Sequence, residues 1–219
     1  MRNRVIAFGD VHGCVRPLEA LLAAIQPAQD DTLVFLGDCV DYGPASREVI
    51  SELISLQKKC CLIPILGNHE EMMVRFLEGR TQADDWLLCG GKETLDSYEG
   101  VEHPEAVSPE HIEFIRGWRD FFETNHCFFI HGGYDEDLPL AAQRWNIFRW
   151  QSLREVVPGR HCSGKTAIVG HTSQKKGEMQ DLGYLICIDT YCVGGGWLTA
   201  LEPETGQIWQ ADRKGSLRK

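Results

Sequence analysis

Two aspartates stand three residues apart in "GDCVDYG" (37–43), and a third follows a glycine in "GDVHG" (9–13). Three more short motifs set histidine or asparagine beside glycine: "GNHE" (67–70), "HGG" (131–133) and "GH" (170–171). Carboxylate, amide and imidazole together are the mixed oxygen and nitrogen donors that suit divalent ions such as Mn, Fe, Zn or Co. Two such ions ~3.5–4 Å apart form the clamp used in phosphoryl displacement. Each motif alone has an ordinary reading. Gly-Asp is a common turn, a lone histidine is most often a core residue with satisfied nitrogens, and Asn68 could cap a helix. Their shared position argues otherwise, because each one follows a run that reads as a strand.

Those runs are "RVIAF" ending at Gly9, "TLVFL" (32–36) and "CLIPIL" (61–66), all short and rich in β-branched or aromatic residues. Between them Leu18, Leu21, Leu22 and Ile25 fall at helical spacing, with Pro17 in the first turn. Val49, Ile50, Leu53, Ile54 and Leu56 mark a second helix with Ser46 as its cap, and "HEEMMVRFLEG" a third. This alternation implies an α/β fold with a mostly parallel sheet, and ligands gather beyond the carboxyl ends of such strands. From about Thr81 to Glu123 the pattern is helical, with Ser108 as a cap before Pro109, and reads as a small helical insertion beside the site. "HCFFIHGG" (126–133) and "AIVGHT" (167–172) repeat the strand-to-histidine format. "YLICIDT" and "WLTALE" follow as strands, with "IWQAD" pairing back across the Glu204–Gly206 turn.

The chain of 219 residues suits a single domain spanning 1–219, and 43% hydrophobic and 25% charged residues describe an ordinary globular composition. A formal net charge of -10 argues against nucleic-acid partners, which call for basic patches. No run approaches the ~18 apolar residues of a spanning helix. Only Val5 to Phe8 are apolar near the start, short of the ~7–15 residues of a secretory signal, so the expectation is a cytoplasmic protein without a membrane partner. The nine cysteines form no CxxC pair and are expected to be mostly reduced and buried. Cys14 and Cys39 lie inside the motifs, where oxidation or soft-metal capture would act on the site.

Taken in order, the five motifs resemble those of the phosphoprotein phosphatase branch of the calcineurin-like metallophosphoesterases, above all its compact bacterial and phage-type serine/threonine phosphatases. The similarity runs from Val5 to about Leu201, with secondary matches at "WLLCGGKETLDSY" (86–98) and "IDT…GGGWLTALE". It implies a four-layer α/β/β/α sandwich with two central mixed β-sheets. It also implies two divalent metal ions, with Mn first and Fe, Zn, Co, Ni or Mg as other occupants. Asp10 and His12 would bind one ion, Asp38 would bridge, and Asn68, His131 and His171 would bind the other. His69 would be the general acid and Asp41 its orienting partner, while a metal-bridging hydroxide attacks phosphorus. The implied activity is hydrolysis of phosphomonoesters, with a phosphorylated protein (phosphoserine, phosphothreonine or phosphotyrosine) or a small phosphoester as partner. A diadenosine tetraphosphate hydrolase, a phosphodiesterase and an inactive metal-bound interaction module are the alternatives.

The chain departs from that family where the phosphate is gripped. Tyr42 stands where the branch usually has arginine, and Leu66 where many eukaryotic members have another. A guanidinium offers two-pronged charge, whereas tyrosine offers one neutral hydrogen bond. Arg149 or Arg154 matches a third family arginine loosely, around Trp150. "IDTYCVGGG" places Tyr191 and Cys192 near the site where bacterial relatives have "IDTGA". Tyr42, Arg149, Arg154 and Tyr191 are therefore the substrate-contact candidates, with Lys165 and Lys175 as further cations.

Overall fold

The computed structural model describes residues 3–81, 83–101 and 103–219. Residues 1 and 2, and positions 82 and 102 in the segment read as helical, lie outside the described residues.

Two five-stranded mixed sheets form the centre. The first joins β1 (Val5–Phe8), β2 (Thr32–Phe35) and β3 (Cys61–Pro64) in parallel. Beside β1 lies an antiparallel hairpin of β9 (Leu198–Glu202) and β10 (Gln207–Ala211), as read from the turn between them. The second sheet joins β5 (Cys127–Phe129), β6 (Thr166–Val169) and β8 (Leu185–Cys187) in parallel. Short antiparallel strands, β4 (Phe122–Glu123) and β7 (Gln180–Asp181), close its edges. The single mostly parallel sheet inferred from strand–helix alternation is thus two sheets, as the family resemblance implied. Local pattern reveals that a strand is buried on both faces but not which strands share a sheet.

Side-chain alternation along the strands builds the layers. Ile6 and Phe8 of β1 and Leu33 and Phe35 of β2 pack with Leu18, Leu21, Val49 and Leu53 from α1 (Val15–Ile25) and α2 (Ser46–Leu56). The intervening Ala7 and Val34, with Leu36, Ile63 and Ile65, meet Cys127, Phe129, Ile168 and Ile188 between the sheets. Phe128, Ala167 and Val169 turn outward beneath Phe148 of α7 (Trp145–Trp150), Tyr134 and Leu153. Each fully buried Leu, Ile or Phe contributes ~1.5–3 kcal/mol of burial, so the three clusters hold the frame rigid.

Register then levels the strand ends. Phe8 pairs with Phe35 and Phe35 with Pro64, while Phe129 pairs with Ile168 and Val169 with Cys187. The loops that carry the motifs therefore leave each sheet at one edge. α3 (Asn68–Leu77) begins at the asparagine of "GNHE", with Gly67 before it.

Between α3 and the second sheet run α4 (Ala83–Trp86), a π-helical turn (Leu87–Gly91), α5 (Lys92–Asp96) and α6 (Pro109–Arg116). Helix ends at Arg116, short of the expected Glu123, because Phe122 and Glu123 pair with the edge of the second sheet. Ser46 does not cap α2. It is the first residue of that helix and its hydroxyl is spent on Asp41 N and Thr94 Oγ1. Among the cysteines, Cys61 and Cys162 are exposed.

Candidate metal centre

Seven non-glycine residues among those described have positive φ. Six of them sit in the loops beyond the strand ends: His12 (44°), Asp38 (48°), Asp41 (71°), Tyr42 (62°), His171 (61°) and Tyr191 (64°). Left-handed backbone of this kind costs on the order of 1–3 kcal/mol per residue and persists only where the surroundings over-determine it. The loops are shaped by what their side chains must reach.

The hydrogen bonds fix what those side chains offer. His131 Nδ1 lies 2.7 Å from Leu36 O, and His171 Nε2 lies 3.1 Å from Trp150 O. A carbonyl can only accept, so each of these nitrogens carries the proton and the other ring nitrogen carries a lone pair. Those lone-pair atoms converge. His131 Nε2 is 3.2 Å from His171 Nδ1 and 2.9 Å from Asn68 Oδ1, and His171 Nδ1 is 3.0 Å from the same amide oxygen. Asp38 Oδ1 lies 3.3 Å from His131 Nε2. Four acceptors facing one another is an arrangement that a cation resolves. Burial disfavours charge on His131, yet Asp38 beside it outweighs burial and raises its pKa. Burial, helped by His131, lowers His171 to about 4, so that ring is neutral. The pocket attracts positive charge and its donors match a divalent ion.

A second group meets Asp38 from the other side. His12 Nδ1 donates to Val40 O at 2.8 Å, which leaves its Nε2 facing Asp38 Oδ2 at 3.7 Å. His69 Nε2 faces the same oxygen at 3.8 Å. Ligand atoms of His12, Asp38 and His69 lie within 4.8 Å of one another, as do those of Asp38, His131 and His171. Asp38 belongs to both groups. Burial would raise its pKa, but the imidazoles around it, His131 foremost, hold it well below the ordinary carboxylate range. Asp10 joins neither group. Its carboxylate accepts His171 N at 3.0 and 3.2 Å, and burial with the nearby charge of Asp189 raises its pKa well above the usual value. Divalent cations would offset that surplus of buried carboxylate.

His69 is held differently. Its Nδ1 meets Asp41 Oδ2 at 2.7 Å. Trp86 Nε1 donates to the same oxygen at 2.9 Å and Thr94 Oγ1 to Asp41 Oδ1 at 2.6 Å. Burial would lower the His69 pKa, but Asp38 and Asp41 raise it to about 9. Its outer nitrogen faces the Asp38 side of the site.

Four residues in these contacts had no role assigned from sequence. Glu70 is fully buried and accepts Asp38 N (2.9 Å), Cys39 N (2.6 Å), Val40 N (3.3 Å) and Gly67 N (3.1 Å). It ties the Asp38 loop to the start of α3, and its place three residues after the N-cap was a legible capping signal. Asp189, buried beyond β8, was signalled by an acid at a strand end; it accepts Tyr191 N at 3.0 Å. Trp86 and Thr94 come from the segment read as an insertion beside the site, and nothing local marked them as partners of Asp41.

The substrate-contact candidates divide. Tyr42 and Tyr191 line one cleft beside His12, together with Lys175. Arg149 is turned away from it, donating to Asp120 at 2.6 and 3.1 Å and to Glu71 at 3.3 Å. Arg154 donates to Ser173 O at 2.6 Å, and Lys165 pairs with Glu123 at 2.6 Å. Leu66 lines a separate groove with Trp145 and Arg149. Cys39 is buried and its thiol pKa is pushed well up by burial, and neither it nor Cys14 joins the donor groups among the described residues.

Residues 3–172 match the family described as calcineurin-like phosphoesterase, whose members use divalent metals. The chain is 33% identical over 153 residues to a symmetrical bis(5'-nucleosyl)-tetraphosphatase of Coxiella burnetii, matching 67% of this chain and 44% of that protein. The chain thus spans less than half the length of this curated relative. It is also 44% identical over 266 aligned positions to a protein of the same name from Ectopseudomonas mendocina, covering 93% of this chain and 96% of that one. A solved structure of a putative diadenosine tetraphosphatase shares the fold at TM-score 0.74 and 22% identity, covering 95% of this chain and 93% of that one. No helix among the described residues is long and apolar enough to cross a membrane.

Proposed function

This chain belongs to the calcineurin-like phosphoesterases, and from that premise we propose that it cleaves dinucleoside tetraphosphates symmetrically, releasing two nucleoside diphosphates. The observation that carries this reading is likeness along nearly the whole chain to a symmetrical tetraphosphatase. It takes the place of the phosphoprotein substrate expected from the sequence. Few basic side chains are needed for such a polyanion, because bound ions would themselves be the largest local positive charges.

In this reading Asp10, His12 and Asp38 would hold one metal ion, and Asp38, Asn68, His131 and His171 the other. Such ions, when bound, neutralise phosphate oxygens and make water available as a nucleophile near neutral pH. His69 gives its Nε2 proton to the leaving phosphate oxygen. Asp41 holds the ring through Nδ1 and favours the charged form until that transfer. Trp86 and Thr94 in turn hold Asp41.

Purified protein supplied in turn with Mn, Co and Mg and given diadenosine tetraphosphate should yield ADP alone. AMP and ATP in equal amounts would overturn the symmetrical reading. A phosphopeptide turned over with higher kcat/KM than the dinucleotide would restore the phosphoprotein reading.

A further inference from the structure

The cleft beside His12 has a volume of about 490 Å³, within the usual range for small-molecule sites. Two of its lining residues are tyrosines in left-handed backbone, Tyr42 at φ 62° and Tyr191 at φ 64°. Each ring is seated on a glycine. A Cβ on Gly90 would come within 2.9 Å of Tyr42 Cδ1, and one on Gly194 within 1.8 Å of Tyr191 Cζ. The fold thus accepts costly backbone at both tyrosines and clears the side chain beneath each. Core packing does not explain the arrangement, because Tyr42 is 46% exposed. The Tyr42 ring lies 5.2 Å from the rings of His12 and His69, so the cleft opens directly from the centre. Among the described residues Lys175 is the sole lysine or arginine lining it. It is exposed, its Nζ lies 5.9 Å from the Tyr191 ring centroid, and it makes no ion pair among the described residues.

We propose that Tyr42 and Tyr191 form an aromatic subsite for a nucleobase of the substrate, with Lys175 as the cation for the phosphates between that base and the reacting phosphorus. The subsite rests on the nucleotide reading above and gives it a means of recognition. Aromatic faces take up any base through its π-surface, and an uncharged ring pair beside one lysine favours a nucleoside polyphosphate over a bare phosphoester. The cleft explains why the family's arginine is dispensable at position 42: recognition shifts from the phosphate to the base.

The test compares binding of ADP with binding of inorganic pyrophosphate, which lacks the base, by calorimetry on metal-loaded protein. Wild type should bind ADP more tightly. Tyr191→Ala should lower the ADP-to-pyrophosphate affinity ratio about tenfold, Tyr191→Phe should restore it, and Gly194→Ala, which displaces the ring, should follow the alanine variant. Lys175→Met should weaken both ligands together. An affinity ratio unmoved by both Tyr191→Ala and Tyr42→Ala would overturn the subsite. Wild type that fails to cleave diadenosine tetraphosphate while the ratio still depends on Tyr191 would overturn the tetraphosphatase reading and leave the nucleobase subsite standing.

Discussion

Asp38 and Asp41 come from one seven-residue loop, yet their surroundings are opposites. Asp41 is surrounded by donors: Trp86 Nε1, Thr94 Oγ1 and His69 Nδ1 all point protons at its two oxygens within 2.9 Å. Asp38 receives one backbone N–H, from His69 at 3.2 Å, and otherwise faces ring nitrogens of three histidines. Two of these rings, His12 and His131, spend a protonated nitrogen on backbone carbonyls and turn the other toward Asp38. A carboxylate whose oxygens both already accept hydrogen bonds is committed to orienting its neighbours and has little capacity left for an ion. A carboxylate that accepts a single backbone N–H and has the free ring nitrogens of His12 and His131 turned toward it is suited to sharing a metal. Environment, not residue type, separates the two roles.

The largest effect should come from breaking the acceptor side. Asp38→Asn is expected to lose metal, read by elemental analysis of the purified protein, and to lower kcat/KM roughly 10³-fold or more. Chelation of the wild type should match it and be reversed by adding a divalent ion back. Asp41→Asn should retain metal while kcat falls about 10²-fold, since general-acid catalysis contributes ~10²–10⁴ and the ring loses its orienting partner. If Asp41→Asn lost its metal too, His69 would be a ligand rather than an acid.

Trp86→Phe should lower kcat several-fold and stability by about 1–3 kcal/mol, measured by urea unfolding, because one donor to a buried carboxylate is removed. A third aspartate sharpens the contrast from a distance. Asp31 is buried before β2 and accepts Arg4 N, Arg4 Nε, Arg4 Nη2 and Ala28 N. Burial would raise its pKa, but the bonds from Arg4 and Ala28 outweigh that and lower it. A depressed carboxylate stabilises the fold above its unfolded pKa of about 3.9, and that contribution is lost as pH falls through the folded value. Asp31→Asn should therefore cost about 1–3 kcal/mol at pH 7, with the gap to wild type closing below about pH 4 and turnover at pH 7 unchanged.

Much of this was legible in the chain. The five motifs are short, their donors are adjacent in sequence, and each follows a strand whose β-branched run is a local signal. The β9–β10 hairpin was equally readable from its turn. Less local features were not. Trp86 and Thr94 lie 45 and 53 residues from Asp41, in a segment whose helical pattern showed its type but not what it touches. Arg149 matched a family position loosely, but Asp120 and Glu71 hold it elsewhere, and no spacing rule anticipates a distant ion pair.

By itself the sequence determined which donor atoms exist, their order, and that each stands at the end of an apolar run, because those properties are written in residue type and short-range period. Tertiary structure alone decided which strands pair and in what register, and the proton positions on the histidines. The tautomer of His131, for example, depends on Leu36 O, 95 residues away. Only the packed sheets also bring Tyr42 and Tyr191 to one cleft. The physical reason is common to all three: a strand partner, a hydrogen-bond partner or a shared cleft is set by the geometry of close packing, which no local pattern encodes.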